Sequence, residues 1–236
     1  KIFKPDPRYI YGVTDTADFI INSVGVRGDE ISPEQKYRVL DIGGSTTECL
    51  YQDQGRTWSA LVERRLGNGH PELKPWVGNL GRSGFNSRHH VLQMTYEVPQ
   101  LPHLDTVILL LGCNDLTLRL ILGDDYDPDH LTTPYGLQHQ MRRTFCYYPL
   151  GFGFLWDLKD TAWWRLIHAT AKQRASILTM DEYGEAVDKL RKRRLNAVKL
   201  LDKLPDMGPA MGEYGRNVNT IIDCAKKMSV RVIFLT

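Results

Sequence analysis

The sequence has almost no net charge, no long apolar run and no cysteine pattern. Its 30 Lys and Arg against 28 Asp and Glu give a formal net charge of +2, which provides no electrostatic basis for binding nucleic acid. No apolar run reaches the roughly 18 residues of a transmembrane helix. The four cysteines lack the spacing of a metal site, and we expect free, largely buried thiols at Cys49, Cys113, Cys146 and Cys224.

The remaining composition is that of an ordinary globular protein. Hydrophobic residues make up 42% of the 236 residues and charged residues 25%, enough for one large domain. We expect residues 1–36 to form an extended arm with one short strand near residues 19–21. Residues 37–236 should form one α/β domain, with an insertion at residues 116–179 that carries an aromatic-rich segment.

The chain is organised around residues 37–48, Tyr-Arg-Val-Leu-Asp-Ile-Gly-Gly-Ser-Thr-Thr-Glu. A short apolar run ends at Gly43 and Gly44 and is followed at once by Ser45. Two glycines allow a tight turn, and the hydroxyl groups after them suit the start of a helix. The pattern predicts a strand that presents Ser45 at its carboxyl end, where α/β proteins place a nucleophile or bind an anion.

Two later segments repeat this order of strand and loop. Residues 76–77 lead into the loop Asn-Leu-Gly-Arg-Ser-Gly at residues 79–84, and the apolar run at residues 106–111 leads into Gly-Cys-Asn-Asp at residues 112–115. Helical patterns at residues 58–66 and 87–96 follow the first two loops. Alternating strands and helices predict a parallel sheet, so the three loops should meet at one edge.

Further along, apolar spacing predicts two long helices and a last strand. The first helix should cover residues 182–204, the second residues 211–228, and the strand residues 230–235. We expect the inward face of the first helix to consist of Val187, Leu190, Arg194 or Leu195, Val198 and Leu201. The buried face of the second should consist of Val218, Ile221, Ile222 and Ala225.

The three loops together offer the groups needed to attack an ester. Ser45 supplies a hydroxyl, Gly81 a backbone N–H and Asn114 a side-chain amide, and such donors stabilise the oxyanion of acyl transfer. Two plainer interpretations stay open. Ser45 could serve only as a helix N-cap, or residues 43–47 could hold a phosphate at a helix N-terminus, although the lysine of a P-loop is absent.

These motifs resemble those of the SGNH (GDSL-like) hydrolases, a superfamily of esterases, lipases and acetylesterases with four motif blocks. Residues 41–48 match the first block in a Gly-Gly-Ser-Thr form, with Gly44 where the Gly-Asp-Ser spelling has aspartate. Residues 79–84 match the second block, which makes Gly81 the backbone donor. Residues 112–115 match the third block, which makes Asn114 the amide donor.

The resemblance implies a three-layer α/β/α sandwich with a mostly parallel, flavodoxin-like sheet. It implies a serine hydrolase that cleaves a carboxylic ester through an acyl-serine at Ser45, without a metal or organic cofactor. The substrate would be a small-molecule, glycan or lipid ester, and Gly44, Glu48 and Arg82 would border it. A non-hydrolytic binding protein or an acyltransferase on the same scaffold stays open. Residues 22–28 resemble the lead-in of exported or membrane-anchored members, which favours an extracytoplasmic or membrane-anchored location, with any membrane anchor outside this sequence.

The fourth block of the family, an Asp-x-x-His pair, has no match near the end of the chain. We therefore expect an amino-terminal portion whose catalytic base and aspartate lie beyond Thr236. Residues 127–130 do fit Asp-x-x-His, but we expect a solvated loop in which nearby carboxylates raise the pKa of His130. We expect His89 and His90 on a helix surface.

Overall fold

The computed structural model describes residues 2–3, 17–145, 181–197 and 203–235. Its main sheet has four parallel strands in the order β4-β3-β5-β6. A separate antiparallel pair joins β1 to β2. The parallel sheet confirms the prediction from the alternating strands and helices. The strands are β1 (Ile2–Phe3), β2 (Ala17–Asp18), β3 (Tyr37–Gly43), β4 (Pro75–Asn79), β5 (Thr106–Leu110) and β6 (Arg231–Leu235).

Seven α-helices occur in the described residues, and a π-helix at Gln93–Glu97 continues the third of them. Thr57 caps the second helix, because its side chain accepts a hydrogen bond from the Ala60 N–H at 3.2 Å. The helices are α1 (Ser45–Glu48), α2 (Trp58–Gly69), α3 (Ser87–Leu92), α4 (Cys113–Leu122), α5 (Pro134–Phe145), α6 (Asp181–Leu195) and α7 (Gly208–Met228).

The core lies on one face of the sheet, where alternate residues of the strands meet α7. Leu40, Val107 and Leu109 are fully buried there against Ile221 and Ala225. Period-two alternation along the strands and helical spacing along α7 bring these residues together. Helix α2 packs against β4 on the opposite face. Helices therefore cover both faces, which gives the expected α/β/α layers.

Several local predictions are wrong. The strand expected near residues 19–21 is Ala17–Asp18, and Ile21 forms only an isolated bridge with Arg27. Helix α6 ends at Leu195, and Leu190 and Leu195 on its predicted inward face are exposed.

Burial also differs from expectation at two further places. Cys113 is exposed, because it is the first residue of α4 at the open edge of the sheet, whereas Cys49 and Cys224 are half-buried; all three are free thiols. Ile108 and Leu110 are only half-buried, although a continuous apolar run such as residues 106–111 is typical of a strand covered on both faces.

Parts of some predictions lie outside the described residues. These are Cys146, most of the N-terminal arm, the aromatic-rich segment after Phe145, and the predicted helix at Val198 and Leu201. Within the described residues, no helix is both long enough and apolar enough to span a lipid bilayer.

Candidate active site

Ser45 lies at the turn between β3 and α1. Gly44 precedes this one-turn helix as its N-cap, and Ser45 is the first helical residue. The Thr47 and Glu48 N–H groups both donate to the Gly44 carbonyl, at 3.1 and 2.9 Å. Ser45 is exposed while Thr47 behind it is buried. The short strand and tight turn therefore present the Ser45 hydroxyl to solvent at the carboxyl edge of the sheet.

Asn114 lies beside this turn, as expected. It is the second residue of α4, and its Nδ2 donates to the Phe85 carbonyl at 2.7 Å. A Cβ added to Gly44 would lie 2.5 Å from Asn114 Nδ2. The side-chain amide thus lies directly over Gly44, next to Ser45. Only one of its two N–H groups is needed for Phe85, so the other is available to a ligand.

Ser45 and Asn114 line the same cavity, of about 190 Å³. Apolar and backbone groups make up most of its remaining wall, together with one buried histidine, His90. The other lining residues are Gly44, Thr46, Phe85, Leu110, Leu111, Gly112, Cys113 and Asp115. The first and third predicted loops therefore do meet.

Gly81 packs against the other side of α1. A Cβ added to Gly81 would lie 2.5 Å from the Glu48 N atom and 2.7 Å from the Thr47 carbonyl carbon, so only glycine fits there. The Gly81 N–H donates to Asn79 Oδ1 at 2.9 Å, and Asn79 Nδ2 donates to the Thr47 carbonyl. Gly81 thus contacts the Ser45 helix but does not line the cavity that Ser45 and Asn114 share.

The predicted substrate contacts Glu48 and Arg82 are both engaged by protein groups. Glu48 Oε2 accepts hydrogen bonds from the Ser83 N–H, at 2.9 Å, and from the Ser83 hydroxyl. Arg82 pairs with Glu97 at 2.9 Å and also donates to the Thr144 carbonyl. Of the three residues expected to border the substrate, only Gly44 lines the Ser45 cavity.

His89 and His90 are both buried, and the expectation of a helix surface is wrong. Helix α3 packs between α5 and α7, so both sides of this short helix are covered. The His89 ring stacks on Phe85 with centroids 4.2 Å apart. Burial lowers the pKa of His89 to about 3 and that of His90 to about 4. Both imidazoles are therefore neutral at neutral pH.

His130 also differs from its prediction. Its side chain is 17% exposed, and Nδ1 lies 3.9 Å from Asp127 Oδ2. The pKa of His130 is lowered, not raised, because burial, Arg88 and His139 outweigh Asp127. His130 lines a second cavity of about 440 Å³ with Asn114, on the side away from Ser45.

A buried polar network behind the third loop was missed by the sequence analysis. Asp115 Oδ1 accepts the Ser87 N–H at 3.0 Å, and Asn217 Nδ2 donates to the Ser87 hydroxyl at 2.8 Å. Arg88 Nε lies 2.7 Å from Glu213 Oε1 in an almost fully buried ion pair. These bonds connect α7 to α3 and to the residue that follows Asn114. A sequence signal for the bonds to α7 is weak, because Glu213 and Asn217 are more than a hundred residues from their partners in α3.

Asp41 lies beneath the Ser45 turn and is fully buried. Neither carboxylate oxygen makes a well-formed hydrogen bond to a described residue, although the Ser59 hydroxyl lies close enough to lower the pKa in part. Burial nevertheless raises the pKa of Asp41 to about 7. The side chain takes up a proton in the pH range where an ordinary aspartate is ionised.

This burial predicts a pH dependence of stability. In the unfolded chain Asp41 releases its proton near pH 4, whereas in the folded protein it keeps the proton up to about pH 7. The free energy of unfolding is therefore highest below pH 4, and this contribution is lost as pH rises through about 7. We expect the free energy of unfolding of the natural protein to fall by roughly 2 to 4 kcal/mol more between pH 4 and pH 8 than that of Asp41→Asn. Urea unfolding of both proteins across this range measures it. If the free energies of unfolding of the two proteins change in parallel with pH, Asp41 is not the group responsible. Glu63, whose pKa burial also raises to about 7, is present in both proteins and so does not affect the difference between them.

The contact between Gly44 and Asn114 gives a second prediction. Gly44→Ala should lower the free energy of unfolding by about 1–3 kcal/mol, because the new methyl group overlaps the Asn114 amide. Gly215→Ala is the matched control, since a Cβ there meets no atom within 4 Å and alanine favours the interior of α7. In denaturant unfolding, the free energy of unfolding should fall in Gly44→Ala and rise in Gly215→Ala. Equal stabilities would show that the amide moves aside at no cost.

No protein-family model and no curated protein matches the chain. Solved structures do resemble it. A catalytic mutant of Axe2, an acetylxylan esterase from Geobacillus stearothermophilus, is 18% identical, with 86% of this chain and 78% of that chain covered and a TM-score of 0.34. LAE5, an α/β hydrolase enzyme from the metagenome of Lake Arreo, Spain, is 19% identical over 80% and 95% of the two chains, with a TM-score of 0.33. AlinE4, an SGNH-hydrolase family esterase, is 15% identical over 84% and 97%, with a TM-score of 0.33.

Identities and TM-scores at this level carry no statement about activity or substrate. The layers, the parallel sheet and the meeting of Ser45 with Asn114 come from this chain itself. The chain is an α/β protein with a parallel sheet, and the solved structures that resemble it include an acetylxylan esterase and an SGNH-hydrolase family esterase.

Proposed function

We propose that this protein is a serine hydrolase of carboxylic esters, of the SGNH type that its motifs resemble, with Ser45 as the nucleophile. The observation that carries the proposal is the cavity of about 190 Å³ that Ser45 and Asn114 share at the carboxyl edge of the sheet. An exposed hydroxyl on a tight turn and a side-chain amide beside it are the minimum equipment for acyl transfer.

In this proposal the Ser45 hydroxyl oxygen attacks the acyl carbon, and the carbonyl oxygen becomes the oxyanion. The free N–H of the Asn114 amide and the Ser45 backbone N–H stabilise it. Each such donor typically lowers the barrier by about 2.7–4 kcal/mol. The Gly81 N–H joins them only if it exchanges its bond to Asn79 Oδ1 for one to the oxyanion. Expulsion of the alcohol leaves an acyl-Ser45 ester, which water then cleaves.

The Ser45 proton needs an acceptor when the bond to carbon forms. His130 lines the other cavity, and His90, with its pKa near 4, is too weak a base at neutral pH. We therefore propose that the base is an Asp-x-x-His pair of the family pattern, which the described residues do not place in the Ser45 cavity. We propose as substrate an ester of a small molecule, a glycan or a lipid.

A serine-directed fluorophosphonate tests the nucleophile. We expect the natural full-length protein to gain one adduct on the peptide that contains Ser45, by mass spectrometry, and the Ser45→Ala variant to gain none. Ser229→Ala is the control, because this exposed serine precedes β6 at the opposite edge of the sheet. An adduct on another residue, or none at all, would count against the proposal.

Transfer to an acyl acceptor is tested separately. Methyl glucoside is added to a reaction with 4-nitrophenyl acetate, and the products are analysed. A hydrolase gives acetate at an unchanged rate. Acetylated glucoside in place of acetate would identify an acyltransferase on the same scaffold.

A further inference from the structure

His90 places a hydrogen-bond acceptor in the cavity of the nucleophile. The residue is 1% exposed, and it lines the same cavity as Ser45. The mechanism above gives this buried imidazole no role. A buried polar side chain at the wall of a site is costly unless something pairs with it, so its two nitrogen atoms need to be accounted for.

The tautomer of His90 is fixed by Gln93. Gln93 Nε2 donates to the Leu80 carbonyl at 3.2 Å, which turns Gln93 Oε1 towards His90 Nδ1 at 2.9 Å. An amide oxygen only accepts hydrogen bonds, so Nδ1 carries the proton and Nε2 carries the lone pair. Because burial lowers the pKa of His90 to about 4, the ring keeps this form at neutral pH.

The second nitrogen, Nε2, makes no hydrogen bond to any residue in the described part of the chain. Although it is unpaired, Nε2 is not sealed from solvent, so it faces open space. The cavity is the open space that the ring lines. Nε2 therefore offers a fixed acceptor to a group inside the Ser45 cavity.

The rest of this cavity suits a short acyl group. Phe85, Leu110 and Leu111 provide apolar walls, and the volume is less than half that of the second cavity on the other side of Asn114. Under the esterase proposal, we place the acyl part in the smaller cavity and the alcohol part in the larger one. The Asp115 carboxylate also lines this cavity but already accepts hydrogen bonds from the Ser87 N–H and hydroxyl, whereas His90 Nε2 is unpaired among the described residues and favours an acyl group that carries one donor.

We propose that His90 Nε2 accepts a hydrogen bond from a hydroxyl group on the acyl part, so that the preferred substrates are esters of short hydroxy acids. The inference rests on the proposed esterase function and narrows its substrate class. A site built to pair with a substrate hydroxyl discriminates against the analogue without it, because its own polar group is then left unpaired.

Glycolate and propionate esters of 4-nitrophenol form a matched pair, since they differ by a hydroxyl in place of a methyl group. We expect His90→Phe to lower the ratio of kcat/KM for glycolate over propionate about tenfold, after correction for spontaneous hydrolysis. Gln93→Leu, which frees Nδ1 and leaves the ring in place, should lower the ratio less. His89→Phe is the control, because this adjacent buried histidine lines the other cavity, and the ratio should not change.

An equal fall for both esters in His90→Phe would overturn the inference and leave the esterase proposal standing. Absence of Ser45 labelling and of any turnover would overturn the esterase proposal instead. In that case glycolate and propionate are titrated into the protein while the ¹⁵N resonance of His90 Nε2 is followed by NMR. A shift with glycolate alone supports the acceptor, and no shift with either acid overturns it.

Discussion

Ser45→Ala should lower kcat/KM for 4-nitrophenyl acetate by about 10⁴-fold or more, since removal of a serine nucleophile also disables the base that acts with it. The reason is local. Ser45 is the exposed hydroxyl at the end of β3, and the Asn114 amide beside it has no attacked carbonyl to stabilise once the hydroxyl is gone. The residual rate should come from binding and oxyanion donors alone. Initial rates over a substrate series measure it.

Two comparisons make this result specific. Ser229→Ala at the opposite edge of the sheet should keep the full rate. The free energies of unfolding of Ser45→Ala and the natural protein should agree, because the hydroxyl is exposed and the turn is held by hydrogen bonds to the Gly44 carbonyl. A variant that is folded and as active as the natural protein would remove Ser45 from the mechanism.

The strands and the meeting of two loops were predictable from local signals. Apolar runs that end at glycine mark β3 and β5, and parallel pairing then forces their carboxyl ends to one edge. The position of Asn114 beside Ser45 follows from that topology alone. These features are read from neighbouring residues, so a single sequence carries them.

Burial at the site was harder to predict, because it depends on elements far apart in the chain. His89 and His90 follow a helical pattern, but α5 and α7 cover both sides of α3. Leu190 and Leu195 show the reverse case, an apolar spacing that no described element covers. The sign of the pKa shift at His130 likewise depended on burial and on Arg88, neither of which its neighbouring aspartates reveal.

The structure shows why a side chain does not fit at Gly44 in the first motif. The resemblance places Gly44 where the Gly-Asp-Ser form has aspartate, and the sequence alone gives no reason for the change. In the structure, the Asn114 amide occupies the space of a Cβ at this position. In this chain the third loop therefore leaves no room for a side chain at position 44, a contact that is visible only when both loops are placed.

Glu213→Ala should lower the free energy of unfolding by about 3–5 kcal/mol, because it leaves the buried Arg88 guanidinium without its partner. Arg88 donates to both Glu213 oxygens, at 2.7 and 2.8 Å, and the two side chains are 6% and 4% exposed. The Tyr126 hydroxyl, which donates to Glu213 Oε2 at 2.5 Å, loses its acceptor as well. Urea unfolding measures the loss.

Restoring neutrality should recover much of that stability. In the double variant Arg88→Met/Glu213→Met no buried charge is left unpaired, so we expect it to be more stable than Glu213→Ala, although each single change is destabilising. Glu34→Ala breaks the exposed pair between Glu34 and Lys74 and should change the free energy of unfolding little, since water solvates both groups. If the double variant is no more stable than Glu213→Ala, the loss comes from packing around α7 rather than from the unpaired charge. In the expected case, the ion pair fixes the position of α7 against α3 and so holds the Ser87 and Asp115 contacts behind Asn114.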